Sequence, residues 1–171
     1  MSRQKAKKLM TEAKIWVRYC KEYKVSTDSN HSKPQLENVL DRGLDIKGPN
    51  MAYAGDITYI WTRGDWLYLA VVIDLYSRKV VGWSMSSKMK AQLVIDALRM
   101  AIWQRKPNKG LIVHTDRGSQ YASHEYLKLL NAHGLVGSMS RKDDCWDYAV
   151  AEGFFGSLKS ERVNWRNYQT R

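Results

Sequence analysis

The stretch MAYAGDITYIWTRGDWLYLAVVIDLYSRKVVGWSMS, residues 51–86, decides the fold. Residues 51–62 read as a strand, Gly64–Asp65 as a turn, residues 66–77 as a second strand and residues 79–86 as a third, because β-branched and aromatic residues dominate between short turn signals. Three successive strands with short connections predict an antiparallel meander. Beyond it the period changes. Residues 91–105 place Leu93, Val94, Ala97, Leu98, Ala101 and Ile102 at helical spacing, and Pro107 and Gly110 close that element. LIVHTD, residues 111–116, reads as a short buried strand. A helix over 123–134 follows, then a fifth strand at 135–140 and a polar loop at 141–147. A last helix is expected from Tyr148 to about Arg166. The order βββαβαβα predicts an α/β protein with a mixed five-stranded sheet and flanking helices, because helices separate the later strands.

Towards the N-terminus the texture is different. Residues 1–24 predict a basic helical arm, with Leu9, Ile15, Trp16 and Tyr19 available for an apolar side. Residues 25–50 hold two of the three prolines and two glycines, and read as a linker with a short helical turn around Leu36–Leu40. The core then spans 51–171. The chain has 171 residues, 44% apolar, enough for one compact domain with an extension. Its longest apolar run, WLYLAVVI at 66–73, has the length of a strand and falls far short of the roughly 20 residues of a membrane helix. With no signal-peptide pattern and only Cys20 and Cys145, the expectation is a cytoplasmic, reduced protein without a disulfide framework or zinc set.

The net charge is +11, which points first to a polyanion. Residues 1–50 and 51–140 each carry a net +5, and 141–171 only +1, so the excess is spread through the chain. Against this background the acids are informative. Asp56 interrupts an apolar strand, and Asp116 ends a buried one. A carboxylate at such a position is costly unless it is hydrogen-bonded, paired or metal-bound. On the last helix Val150, Phe154 and Leu158 form an i, i+4, i+8 stripe; Glu152 lies roughly opposite it and shares a face with Lys159. The structural alternatives are a turn acceptor at Asp116, a face-out strand residue at Asp56 and a solvated helix face at Glu152.

The stretches GDITYI, VVIDLYSRKVVGW, HTDRGSQY, SMSRK and AVAEGFFGSLKSE resemble the catalytic core of DDE transposases and retroviral-type integrases. More closely, they are similar to the OrfB-type transposase of the insertion-sequence-three family, over about residues 25–171. Thirty-five residues separate Asp116 from Glu152, the gap of that family. The resemblance implies an RNase H-like fold, with Asp56, Asp116 and Glu152 as catalytic and metal-binding acids for two Mg²⁺ or Mn²⁺ ions. It implies phosphodiester cleavage and strand transfer at insertion-sequence ends. The implied partners are terminal-repeat and target DNA, together with other copies of the chain or full-length transposase. The implied location is at the prokaryotic nucleoid.

Lys159, Arg117, Arg141 and Lys142 are the candidate DNA contacts. Asp74 and His114 read as structural. Trp61, Trp66, Trp83 and Trp103 are expected to fill the core, with Trp146 open to base stacking.

The resemblance also has departures. RKDDCWDYA replaces the family's usual loop, so Asp143 and Asp144 add charge, Tyr148 stands for Asn, and Gly153 stands where Ser follows the glutamate. The sequence stops at Arg171 where family members continue, and the N-terminal helix-turn-helix-like region reads as a remnant, so the expectation is a C-terminally truncated core whose activity stays open. Two alternatives stand beside transposition: a catalytically silent DNA-binding or transposase-interacting module, and, more weakly, an RNase H-type nuclease.

Overall fold

The computed structural model describes residues 2–15, 35–40, 46–140 and 149–169. After helix α1 (Arg3–Glu12), the core runs β1 (Ala52–Trp61), β2 (Trp66–Asp74), β3 (Val80–Ser86), α2 (Ala91–Arg105), β4 (Ile112–Thr115), α3 (His124–Ala132), β5 (Val136–Met139) and α4 (Ala149–Glu161), followed by a 3₁₀ turn at Val163–Trp165. The five strands form one sheet in the order β3-β2-β1-β4-β5. β1, β2 and β3 pair antiparallel as the meander predicts, whereas β4 and β5 add in parallel to β1. Helices α2 and α3 supply the crossovers that parallel pairing requires.

Alternation along the strands divides the core into two layers. On one face Tyr53, Ala70, Val72, Val81 and Val113 pack beneath Leu98 and Ala101 of α2 and Tyr126 and Leu130 of α3. On the other, Ile60, Leu69, Val71 and Ile73 pack under Ala151 and Phe155 of α4. The seat of α2 depends on Gly82. A Cβ there would stand 2.2 Å from the Ala97 carbonyl oxygen and 2.7 Å from the Ala101 nitrogen. The absent side chain and two alanines let helix and strand approach backbone to backbone. This contact draws β3, at the sheet edge, under the helix.

Several sequence expectations change here. The helix predicted over residues 1–24 stops at Glu12; Ala13 and Lys14 form a turn, with Lys14 at φ 52°, and Trp16 and Tyr19 lie outside the described residues. The short helical turn at Leu36–Leu40 is not formed. That segment lies along the edge strand β5: Met139 N–H donates to the Glu37 carbonyl at 3.3 Å, and the Ser138 hydroxyl accepts from Val39 and Leu40 N–H at 2.9 and 3.3 Å. Edge-strand backbone groups need partners, and this demand outweighs the segment's weak helical period. The last helix ends at Glu161 rather than near Arg166, with the 3₁₀ turn taking up part of the difference.

The four tryptophans assigned to the core are instead exposed: Trp61 by 58%, Trp66 by 40%, Trp83 by 48% and Trp103 by 78%. Trp61 and Trp66 lie at the β1–β2 hairpin tip, beyond the packed strand positions Ile57 and Tyr68. Trp83 lies on edge strand β3, outside the apolar cluster that α4 makes on β1 and β2. Trp103 is in the last turn of α2, away from the Leu98–Ala101 face.

Gly82→Ala should lower stability by about 1–3 kcal/mol through overpacking. Gly153→Ala, where a Cβ meets nothing within 4 Å, should raise it by up to about 1 kcal/mol. Thermal melting of the two variants beside the parent chain checks both signs.

Candidate active site

The β1–β4 ladder brings the two aspartates together. Its register pairs Ala54 with His114 and Gly55 with Thr115, and one step on along each chain stand Asp56 and Asp116. Pairing ends there, because β4 closes at Thr115 while β1 continues to Trp61. Asp56 therefore sits where the sheet splits and the β4 side of β1 loses its strand neighbour. Gly55 makes the approach close: a Cβ on it would lie 3.2 Å from the Thr115 methyl group and 3.7 Å from the Tyr121 ring.

Both aspartates are only partly buried. Asp56 accepts the Ile57 N–H at 2.7 Å, and Asp116 accepts the Gly118 N–H at 2.8 Å, so the turn-acceptor role coexists with the clustering. Asp56 carries the electrostatic signature of the site. Burial first, then the charge of Asp116, and less strongly that of Glu152, push its carboxyl from 3.8 up to about 7, against the lowering effect of the Ile57 N–H. On α3 the Tyr126 phenol is pushed upward by burial and by the same Asp116 charge.

Helix α4 runs along β1 in the same sense. Val150 near its start packs by Ala52 and Ala54, while Val163 and Tyr168, beyond its end, pack by Ile60 and Leu69. Glu152, in the first turn, is exposed and lies close enough to raise the Asp56 carboxyl. The buried stripe of α4 is Ala151, Phe155 and Lys159, one position on from the stripe predicted through Val150, Phe154 and Leu158, which are half-buried flanks. Lys159 is thus not a solvent-facing cation: it is buried, with Nζ 4.5 Å from the centre of the Tyr59 ring. Its stem covers apolar surface and its charge lies on an aromatic face.

Arg117 donates Nε–H to the Ser140 carbonyl at 2.8 Å, tying the end of β4 to that of β5. His114 is a core residue, its Nδ1 2.9 Å from the Ser138 hydroxyl that also holds the 35–40 segment. Asp74 is wholly buried at the end of β2, accepts from the Ser77 hydroxyl at 2.8 Å and lies 3.8 Å from Arg105, as its structural assignment predicts. Arg141, Lys142, Asp143, Asp144, Cys145, Trp146 and Tyr148 lie outside the described residues. Sequence reasoning missed Tyr126 and Ser138, whose roles come from packing across the sheet and have no local signal.

Among the described residues no three of His, Cys, Asp and Glu converge tightly enough to hold an ion with the side chains as they stand. The donor set nevertheless suits a hard cation: three oxygen-only acids, two abreast, with Asp56 pushed up to about 7 first by burial and then by the charges of Asp116 and Glu152.

A family model described as "Integrase core domain" matches residues 47–145. The chain is 53% identical over 141 residues to "Transposase InsF for insertion sequence IS3A" of Escherichia coli (strain K12), covering 82% of this chain and 49% of that protein. It is 35% identical over 171 residues to "Insertion element IS600 uncharacterized 31 kDa protein" of Shigella sonnei, covering 100% of this chain and 63% of that protein. Among solved structures, the HTLV-2 integrase catalytic core domain in complex with magnesium is similar at a TM-score of 0.54 and 23% identity, over 65% of this chain and 68% of that one. A chain of the simian T-cell lymphotropic virus intasome is similar at a TM-score of 0.59 and 20% identity, over 78% of this chain and 45% of that one.

The fold is therefore RNase H-like, of the integrase catalytic-core type. The chain belongs to the integrase core domain family. It spans about half the length of the InsF relatives it matches.

The raised Asp56 carboxyl gives a pH prediction. Its folded pKa, about 7, exceeds its unfolded value, so the folded chain holds a proton that the unfolded chain releases. That contribution to stability is fully present below about pH 4 and is lost as pH rises to about 7. The melting temperature of Asp56→Asn minus that of the parent should therefore grow over this window. Added Mg²⁺ should raise the parent's melting temperature near neutral pH and leave the variant's unchanged.

Proposed function

We propose that this chain is the catalytic core of an insertion-sequence transposase, a polynucleotidyl transferase that cuts a phosphodiester at an element end and joins the freed 3′-hydroxyl to target DNA. The observation that carries this is the pair Asp56–Asp116, abreast where the sheet splits, with Glu152 on α4 close enough to add its charge. The relatives named as insertion-sequence transposases support the same reading. Asp56, Asp116 and Glu152 would hold two Mg²⁺ or Mn²⁺ ions, which when bound activate the attacking oxygen and stabilise the leaving one. No side chain becomes a covalent nucleophile.

The protein's own residues have distinct roles in this scheme. Asp56, its carboxyl pushed up to about 7, releases its proton near neutral pH. The backbone N–H groups of Ile57 and Gly118 fix the two aspartates against rotation. Lys159, held on Tyr59, supplies positive potential beneath the substrate path, and Arg117 fixes the loop that follows Asp116. Arg141 and Lys142 are further candidate phosphate contacts. Residues 1–24 are the basic arm, and the spread of the +11 charge suits long backbone contact with DNA. Association with other copies or with a full-length transposase belongs to the same proposal.

The test is cleavage and strand transfer on a duplex bearing an element end, with Mn²⁺ or Mg²⁺ and the 171-residue chain. Asp116→Asn should lower the rate by roughly a thousandfold or more. An unchanged rate refutes the site. A salt-sensitive, metal-independent gel shift with no cleavage by the parent identifies a silent DNA-binding module instead. Preferential cleavage of an RNA–DNA hybrid identifies an RNase H-type nuclease.

A further inference from the structure

The β1–β2 hairpin ends in an aromatic tip that the acid site does not use. Trp61 and Trp66 are paired directly across the hairpin, their ring centres 4.8 Å apart at 69°. Tyr59 meets Trp66 edge to face at 5.0 Å and 89°, and the Lys159 amine lies on the Tyr59 ring. Each edge-to-face contact covers at most one face of a ring, and Trp61 is 58% exposed and Trp66 40%. Hairpin stabilisation alone needs one such pair. Here the rings are continuous with a buried cation and with the strand that bears Asp56.

The surroundings are basic. Arg63 is exposed in the turn, its N–H donating to the Tyr168 carbonyl at 2.9 Å, so the segment after α4 lies against the tip. Exposed Arg162 and Arg166 flank that segment. Asp65 is the acid of the turn itself, and its carboxylate accepts the Trp66 N–H at 2.7 Å. Clustered arginines would repel a second copy docked through this tip and attract phosphates.

We propose that Trp61 and Trp66, with Tyr59 and Lys159 behind them, form a stacking platform for an unpaired base of the DNA strand held at the acid site. This rests on the transposase-core reading and adds to it a site for exposed bases. Ring faces cannot stack on bases enclosed in a duplex, so the ligand is a frayed, flipped or single-stranded nucleotide. The two sites share one strand. Trp61 is five residues beyond Asp56 in extended backbone, roughly 17 Å along β1, and the odd step starts the two side chains on opposite faces, so a DNA strand that meets both passes around the edge of β1 left open beyond Gly55.

The experiment compares binding of two probes to the 171-residue chain without metal: a blunt duplex, and the same duplex with a short single-stranded tail carrying 2-aminopurine at successive positions. Trp61→Leu should weaken binding of the tailed probe about tenfold, abolish 2-aminopurine quenching and leave blunt-duplex binding unchanged. Trp61→Phe should restore most of both. Melting temperatures separate stacking from hairpin stability, and Trp66→Phe gives a second, conservative probe of the platform.

Equal weakening on both probes, or no weakening on either, overturns the proposal. So does a loss of self-association by Trp61→Leu with DNA binding unchanged, which would make the tip an interface between copies. Because these readouts need no cleavage, their failure is separable from failure of the catalytic assignment, which Asp116→Asn reports.

Discussion

The parallel pairing of β1 with β4 is the contact on which the rest of the molecule depends. It holds for four residue pairs and ends at Gly55–Thr115, just before the two aspartates. A longer ladder would bury both acids in a continuous sheet, where unpaired carboxylates are prohibitively costly. A shorter one would leave them unaligned. Where it ends, Asp56 accepts the Ile57 N–H and Asp116 the Gly118 N–H. The electrostatic cost of that arrangement is visible in Asp56, pushed up to about 7 largely by desolvation and the neighbouring charges.

The remaining elements hold that ladder in place. Gly82 lets α2 sit directly on β3, and Gly55 lets β1 approach Thr115, so two positions without side chains set the spacing of helix, sheet and site. The segment at 35–40 strengthens the far edge by donating to and accepting from β5, and His114 joins it through Ser138. Helix α4 carries Glu152 beside the aspartates because Ala151, Phe155 and Lys159 fasten it to the opposite face of the sheet. Thus the helix bearing the third acid is anchored partly by a cation on an aromatic ring, well away from the acids themselves.

Much of this was legible in the residues. Strand and helix order followed from a change of period at residue 91, and the three acids from their awkward positions and their spacing in a chain resembling known transposases. Less legible was the exposure of residues that composition alone would bury. Tryptophans 61, 66, 83 and 103 have the character of core residues, yet whether a ring is covered depends on how far the helices extend over the sheet, which no local pattern encodes. Lys159 shows the opposite error: a lysine two turns from Glu152 reads as a solvent-facing cation, and Tyr59, a hundred residues earlier, draws it inward.

By itself, then, the sequence determined the element order, the basic excess of the chain and the awkward placing of its acids, since these depend on local period, net charge and residue type. The tertiary structure alone decided that Asp56 and Asp116 stand abreast, that Lys159 is buried and that the hairpin tip presents bare aromatic rings. Each of those depends on contacts between residues far apart in the chain, where strand register and helix reach determine which side chain meets which.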